Sequence, residues 1–196
     1  MKTLVAKKGV FGERYLLGEA RYGAAATLKT YVSLCYTEKS IRVKIEAQGD
    51  EFFTPYRGEY KNETVWNADA VEIFLSPYGS EEWYYEVDFA PTGAWFTGHI
   101  FNPDGHRGYS HGEDGPKDGV VWKIEVENGW WTTEVEIPFT FMIKNEEDIK
   151  RATNLPWRVN IYRIDHKNDE YLSACPTNDE EINFHVTKGF GRLIFE

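Results

Sequence analysis

The sequence predicts an all-β chain: a two-sheet antiparallel β-sandwich of jelly-roll or immunoglobulin-like type, with little helix. Three observations carry this. "IRVKIEA" sets Ile41, Val43 and Ile45 against Arg42, Lys44 and Glu46, the period-2 signature of a half-buried strand. The same alternation recurs along the chain, interrupted by Gly, Pro, Asn and Asp. Helical periodicity is scarce.

In chain order the alternation places strands near 28–36, 40–48, 70–76, 83–90, 93–101, 120–127, 131–138, 157–164, 170–174 and 190–195. Two stretches lack it. "EFFTPYRGEYKNET" (51–64) and the Gly/Asp/His-rich "NPDGHRGYSHGEDGPKDG" (102–119) read as loops. "IPFTFMIKNEEDIKRA" allows a turn or two of helix after Pro138. No repeat or linker divides the 196 residues, a length that suits one domain spanning 1–196.

Parity then sorts side chains, because residues i and i+2 share a strand face. Val71, Ile73 and Leu75 face a core, as do Tyr85, Val87 and Phe89, and Trp157, Val159 and Ile161. The opposite face collects Glu72 and Phe74, then Tyr84, Glu86 and Asp88, then Arg158, Asn160 and Tyr162. On parity alone this second face reads as a solvated sheet surface, the ordinary condition of an antiparallel sheet. Its chemistry also suits a sugar, since carboxylate, amide and guanidinium groups bind hydroxyls in pairs and aromatic rings pack on C–H faces.

Composition narrows the partners. A formal charge of −10, with no basic run, disfavours nucleic acid and favours a neutral or cationic ligand. Aromatic residues make up 16% of the chain, with 7 Trp, 12 Tyr and 12 Phe, more than a modest core requires. No stretch approaches the ~20 apolar residues of a membrane helix, so no membrane partner is expected. The N-terminus, broken by Lys, Arg and Glu, shows no signal-peptide core. The expected location is the cytoplasm, or else a chain lacking its export signal. Cys35 and Cys175 are expected to be free, buried thiols. Asn62-Glu63-Thr64 matches a glycosylation sequon.

The ordered run "VWNADAVEIFLSP", "WYYEVDFAPTGAWF", "GWWTTEVEIPF", "PWRVNIYRID" and "NFHVTKGFGRLIFE" resembles the family 9 carbohydrate-binding modules over most of the chain beyond about residue 28. The resemblance implies non-catalytic binding of a mono- or oligosaccharide, with a sugar ring or chain end clamped between two aromatic residues. It implies Trp66 as the first clamp and Glu72 as a hydroxyl acceptor, with Asn160 and Tyr162 on the floor. Phe184 stands where members carry a second tryptophan, and Glu86 where they carry an arginine. Arg158 and His185 complete the candidate carbohydrate-binding set, and Asn178 or Asn183 could add an amide.

The resemblance also implies calcium as a possible structural ion. Asp50, Glu51, Asp104, Asp114 and Asp118 are oxygen-rich candidates, but none matches EF-hand spacing, so no metal site is assigned and no catalytic residue is expected. The alternative is a glycoside hydrolase using Glu72 and Glu86, since two carboxylates about 5 Å apart suffice for retention. Haem, with Met142 and the loop histidines as the available axial ligands, is a third class.

Overall fold

The computed structural model describes residues 1–49, 51–58, 64–110 and 119–196. Among them are fourteen strands: β1 (Thr3–Lys8), β2 (Tyr15–Leu16), β3 (Gly18–Glu19), β4 (Thr30–Tyr36), β5 (Ser40–Gln48), β6 (Ala70–Ser76), β7 (Trp83–Phe89), β8 (Trp95–Phe101), β9 (Tyr109–Ser110), β10 (Val121–Glu127), β11 (Trp130–Pro138), β12 (Arg158–Asp165), β13 (Glu170–Ser173) and β14 (Gly191–Phe195). The helical content after Pro138 is α1 (Phe139–Met142) and α2 (Glu146–Lys150). Asn145 caps α2, its side chain accepting from the amides of Glu147 and Asp148.

All ten expected strands are present, but they do not form two separate antiparallel sheets. The strands run in one continuous mixed sheet, in the order β10-β11-β5-β4-β1-β14-β12-β6-β7-β8-β9. The link is β1, which pairs in parallel with both β14 and β4. Its sequence, Thr-Leu-Val-Ala-Lys-Lys, gives no clean alternation, and its partners lie near opposite ends of the chain. A local pattern therefore could not reveal it. The two halves that β1 joins are each antiparallel within themselves.

The sheet curls so that both halves share one core. Val32, Leu34, Val43, Ile45 and Val135 of one half pack in the same apolar cluster as Val71, Ile73, Leu75, Val87, Val159 and Ile161 of the other. Val71, Ile73, Leu75, Val87, Val159 and Ile161 are residues that parity assigns inward, and Val43 and Ile45 lie on the apolar side of their strand's alternation. Burying each side chain of this kind stabilises the fold by about 1.5–3 kcal/mol before chain entropy is deducted. The β10–β11 hairpin turns at Asn128 and Gly129, both with positive φ (52° and 75°), as a two-residue type I′ loop requires.

The opposite face of the β12-β6-β7-β8 quarter is not solvated, contrary to the parity reading. The chain crosses it between β13 and β14, and a second apolar cluster forms there from Phe74, Tyr84, Ile100, Tyr162 and Phe190, with Phe184 against it. Polar side chains anchor the crossing. Arg158 donates from Nη2 to the carbonyl of Thr187 (2.8 Å) and from Nη1 to Glu81 (2.6 Å). The Asn160 side chain pairs with both the N–H and the C=O of Cys175 (2.9 and 2.8 Å). Cys35 and Cys175 are free and buried, as expected. Asp50, Asn62 and the stretch 111–118, with the sequon and the candidates Asp114 and Asp118, lie outside the described residues.

Candidate functional site

Register builds the site. Antiparallel pairing sets Tyr162 opposite Glu72, Glu72 opposite Asp88, and Asp88 opposite Phe96, one row across β12-β6-β7-β8. The adjacent row on the same face runs Asn160, Phe74, Glu86, Gly98. Glu72 therefore has Asp88 as its direct cross-strand neighbour and Glu86 on the diagonal. Opposite Glu86 stands Gly98, where no side chain fills the space above the carboxylate. A Cβ there would come within 2.8 Å of the Phe96 ring and 3.0 Å of Ser110 Oγ.

Over these acids lies a cavity of about 430 Å³. Trp66 and Phe96 line one part of it. Phe184, His185, Asn183, Ile182 and Tyr171 line it too, with Ile100, Gly108, Ser110 and Ile164, and Glu72 and Glu86 reach it from the sheet.

Trp66 reaches the cavity from a 3-10 turn, residues 65–67, immediately before β6. Val65 anchors that turn in a small apolar cluster with Ala90, Ala94 and Phe96, while the Trp66 ring stays 40% exposed and meets Phe96 edge-on at 4.9 Å. Asp69 fixes the entry to β6 from the other side, accepting the amides of Phe53 (2.8 Å) and His166 (2.7 Å).

Phe184 lies flat on Tyr162, centroids 4.2 Å apart and planes 11° from parallel, and the Tyr162 hydroxyl donates to the Phe184 carbonyl (2.8 Å). Next to it, His185 Nδ1 is hydrogen-bonded to the Tyr84 hydroxyl, and its carbonyl accepts from Asn102 (2.7 Å). The Asn183 side chain donates to the carbonyl of His106 (2.8 Å) and joins this wall to the 102–110 loop.

Of the eight residues expected to bind carbohydrate, the structure brings Trp66, Glu72, Glu86, Phe184 and His185 to one cavity. Arg158, Asn160 and Tyr162 lie beneath the crossing segment, buried, with their polar groups engaged by the chain itself. Asn160 bonds the backbone of Cys175 and Tyr162 the carbonyl of Phe184, so both hold the crossing segment in place. Asn178 donates to the carbonyl of Pro176 (3.2 Å). Phe96 and Ile100 were not singled out, although β8 parity puts them on this face.

The electrostatics are unusual. Glu72, Glu86 and Asp88 are 3%, 5% and 0% exposed. Glu72 Oε1, Glu86 Oε2 and both Asp88 oxygens are buried with no hydrogen-bond donor. Each of the three offers an oxygen within 4.8 Å of the others. Burial, reinforced by the Glu86 charge, lifts Glu72 well above the usual carboxylate range. Burial likewise raises Asp88, with Glu86 and Glu72 adding repulsion. Glu86 is pushed up to about 7 by burial, opposed by its contact with Asp88. The cause is common: charged carboxylates lose their water and gain no cation. His185 is lowered to about 4 by burial, so it is neutral at pH 7.

The acids singled out for calcium are placed otherwise. Asp104 accepts the amides of His106 and Arg107 (both 2.8 Å), and Glu51 pairs with Lys167 (2.8 Å). Met142 packs in the main core, away from the cavity face.

The fold is that of the family 9 carbohydrate-binding modules. One such module, from Caldicellulosiruptor kristjanssonii in complex with glucose, superposes with a TM-score of 0.64 over all of this chain and 96% of that one, at 13% identity. A module from the same organism in complex with cellotriose gives 0.61 over 94% of its length, at 12% identity. A proposed carbohydrate-binding protein from Bacteroides uniformis gives 0.77 over all of this chain and 99% of that one, at 18% identity. In sequence, an extracellular protein of Arthroderma benhamiae is 22% identical over 179 residues, 85% of this chain and 78% of its own length. No protein-family model matches the chain.

Proposed function

We propose that this protein binds carbohydrate without turning it over, holding a sugar ring or chain end in the cavity between Trp66 and Phe184. The observation that carries this reading is the pairing of aromatic walls with a carboxylate base in one cavity of about 430 Å³. That volume falls within the roughly 300–1,000 Å³ of small-ligand pockets. The rings present apolar area to sugar C–H faces, while Glu72 and Glu86, with Asn183 and His185, are placed for hydroxyl groups. The likeness in fold to modules solved with glucose and cellotriose supports the same ligand class.

One observation favours hydrolysis as a second reading: Glu72 and Glu86 offer oxygens within 4.8 Å of each other, near the spacing of a retaining pair. A retaining enzyme needs one carboxylate ionised as nucleophile while the other is protonated. Here burial raises both, and among the described residues no lysine or arginine lines the cavity to hold one ionised. Binding is the better supported of the two.

Calorimetric titration with glucose, xylose and cello-oligosaccharides tests the proposal, with aryl glycosides incubated in parallel. Saturable binding with no released phenol is expected. Release that disappears in Glu72→Gln would make the protein a hydrolase.

A further inference from the structure

Among the described residues, no cationic side chain faces the acids at the base of the cavity. Glu72 and Glu86 line it, Asp88 offers an oxygen within 4.8 Å of both, and buried oxygens of all three have no donor; among the described residues no lysine or arginine lines the space. The nearest candidates along the sheet are committed elsewhere: Arg158 to Glu81, Thr187 and Phe190, and Arg163 to Asp165 and Thr30. His185, on the wall, is neutral because burial disfavours its cation. Burial favours the protonated forms of these acids in the free protein, and a sugar with hydroxyls alone would bring no charge to draw them toward carboxylates.

We propose that the cavity selects a sugar bearing an ammonium group, a 2-amino-2-deoxyhexose residue or chain end, with its nitrogen seated over Glu72 and Glu86 and its ring between Trp66 and Phe184. This rests on the sugar-binding reading above and names the sugar class. An ammonium brings three N–H donors and one positive charge, which favours ionisation of the buried acids beneath it, and the charge-assisted hydrogen bonds that result are roughly twice as strong as neutral ones. The aromatic walls take the rest of the ligand, and a cation near a ring face is itself attracted. A bare metal ion fits less of the site. It would use the carboxylates but leave the walls and most of the 430 Å³ without a role.

The test compares glucosamine, N-acetylglucosamine and glucose by calorimetry in chelator-treated buffer, with and without added calcium chloride. The ring is common to all three, and only glucosamine carries the charge. Glucosamine is expected to bind at least about tenfold tighter than glucose, the scale of one charge-assisted hydrogen bond. That ratio should fall toward one in Glu86→Gln. Circular dichroism melts establish that the variant is folded, and Asp88→Asn serves as a second variant if it is not. Equal or weaker binding of glucosamine overturns this inference and leaves the sugar site standing, whereas failure of all three sugars overturns both. Calcium that binds alone and displaces glucosamine would assign the acids to a metal and overturn the ammonium.

Discussion

Replacing Trp66 by alanine removes one wall of the cavity with little effect on the core. The ring is 40% exposed, which for a side chain of about 250 Å² leaves about 100 Å² open to a ligand. A pyranose that covers about half of this buries about 50 Å² of indole, worth about 1.3 kcal/mol at 25 cal/mol per Å². Sugar affinity should therefore fall about tenfold in Trp66→Ala. Stability should fall by a comparable amount, because the ring also meets Phe96 edge-on, a contact worth about 0.5–1.5 kcal/mol. For a chain of this size that lowers Tm by only a few degrees. Calorimetric titration of the best-binding sugar, paired with a thermal melt of each protein, reads both quantities. Unchanged affinity in a folded Trp66→Ala protein would refute the assignment of Trp66 as a stacking wall.

Three further outcomes follow from the packing and the acids. Glu86, raised to about 7, with Glu72 and Asp88 raised in the same sense, binds protons more tightly folded than unfolded. The stability these groups contribute is thus complete below the ordinary carboxylate range and is lost as pH rises through about 7. For Glu86 alone the loss is about 3 kcal/mol. Urea denaturation of the free protein should give a higher midpoint near pH 5 than near pH 8, with the difference reduced in Glu86→Gln; a midpoint that rises with pH would contradict this. Asn160→Ala strands the buried N–H and C=O of Cys175 that its side chain satisfies, at about 1–3 kcal/mol each, and should lower Tm measurably by calorimetry. Both thiols are buried, and burial pushes Cys175 up to about 11, so a disulfide reagent should label neither in the native protein and both in denaturant.

The core face of the sheet was legible because it depends on a local property. Alternation puts Val71, Ile73 and Leu75 on one side whatever else the chain does, and pairing with Val87 and Ile161 follows from the shared pattern. The outer face was legible only in composition. That Glu72, Glu86 and Asp88 share a surface is a matter of parity, but their burial depends on residues 176–190 crossing over them, a contact more than 80 positions away in sequence. The burial of Arg158, Asn160 and Tyr162 was not legible for the same reason: parity puts them on an open face, and under the crossing they meet the backbone of Cys175, Phe184 and Thr187. The single curled sheet escaped notice because β1 pairs with β14 and β4 in parallel, and parallel neighbours leave no hairpin signal in the sequence.

The central claim is that a sugar sits between Trp66 and Phe184 over Glu72 and Glu86. Nitrogen-detected backbone and indole chemical shifts, followed while glucose or glucosamine is titrated into the labelled protein, test it most directly. The expected perturbations cluster at the Trp66 indole and at residues 70–74, 84–88, 96–100 and 182–185, saturating with one affinity. Perturbations confined to another face, such as the Tyr31 and Trp130 ring pair on β4 and β11, or none at saturating sugar, would contradict it.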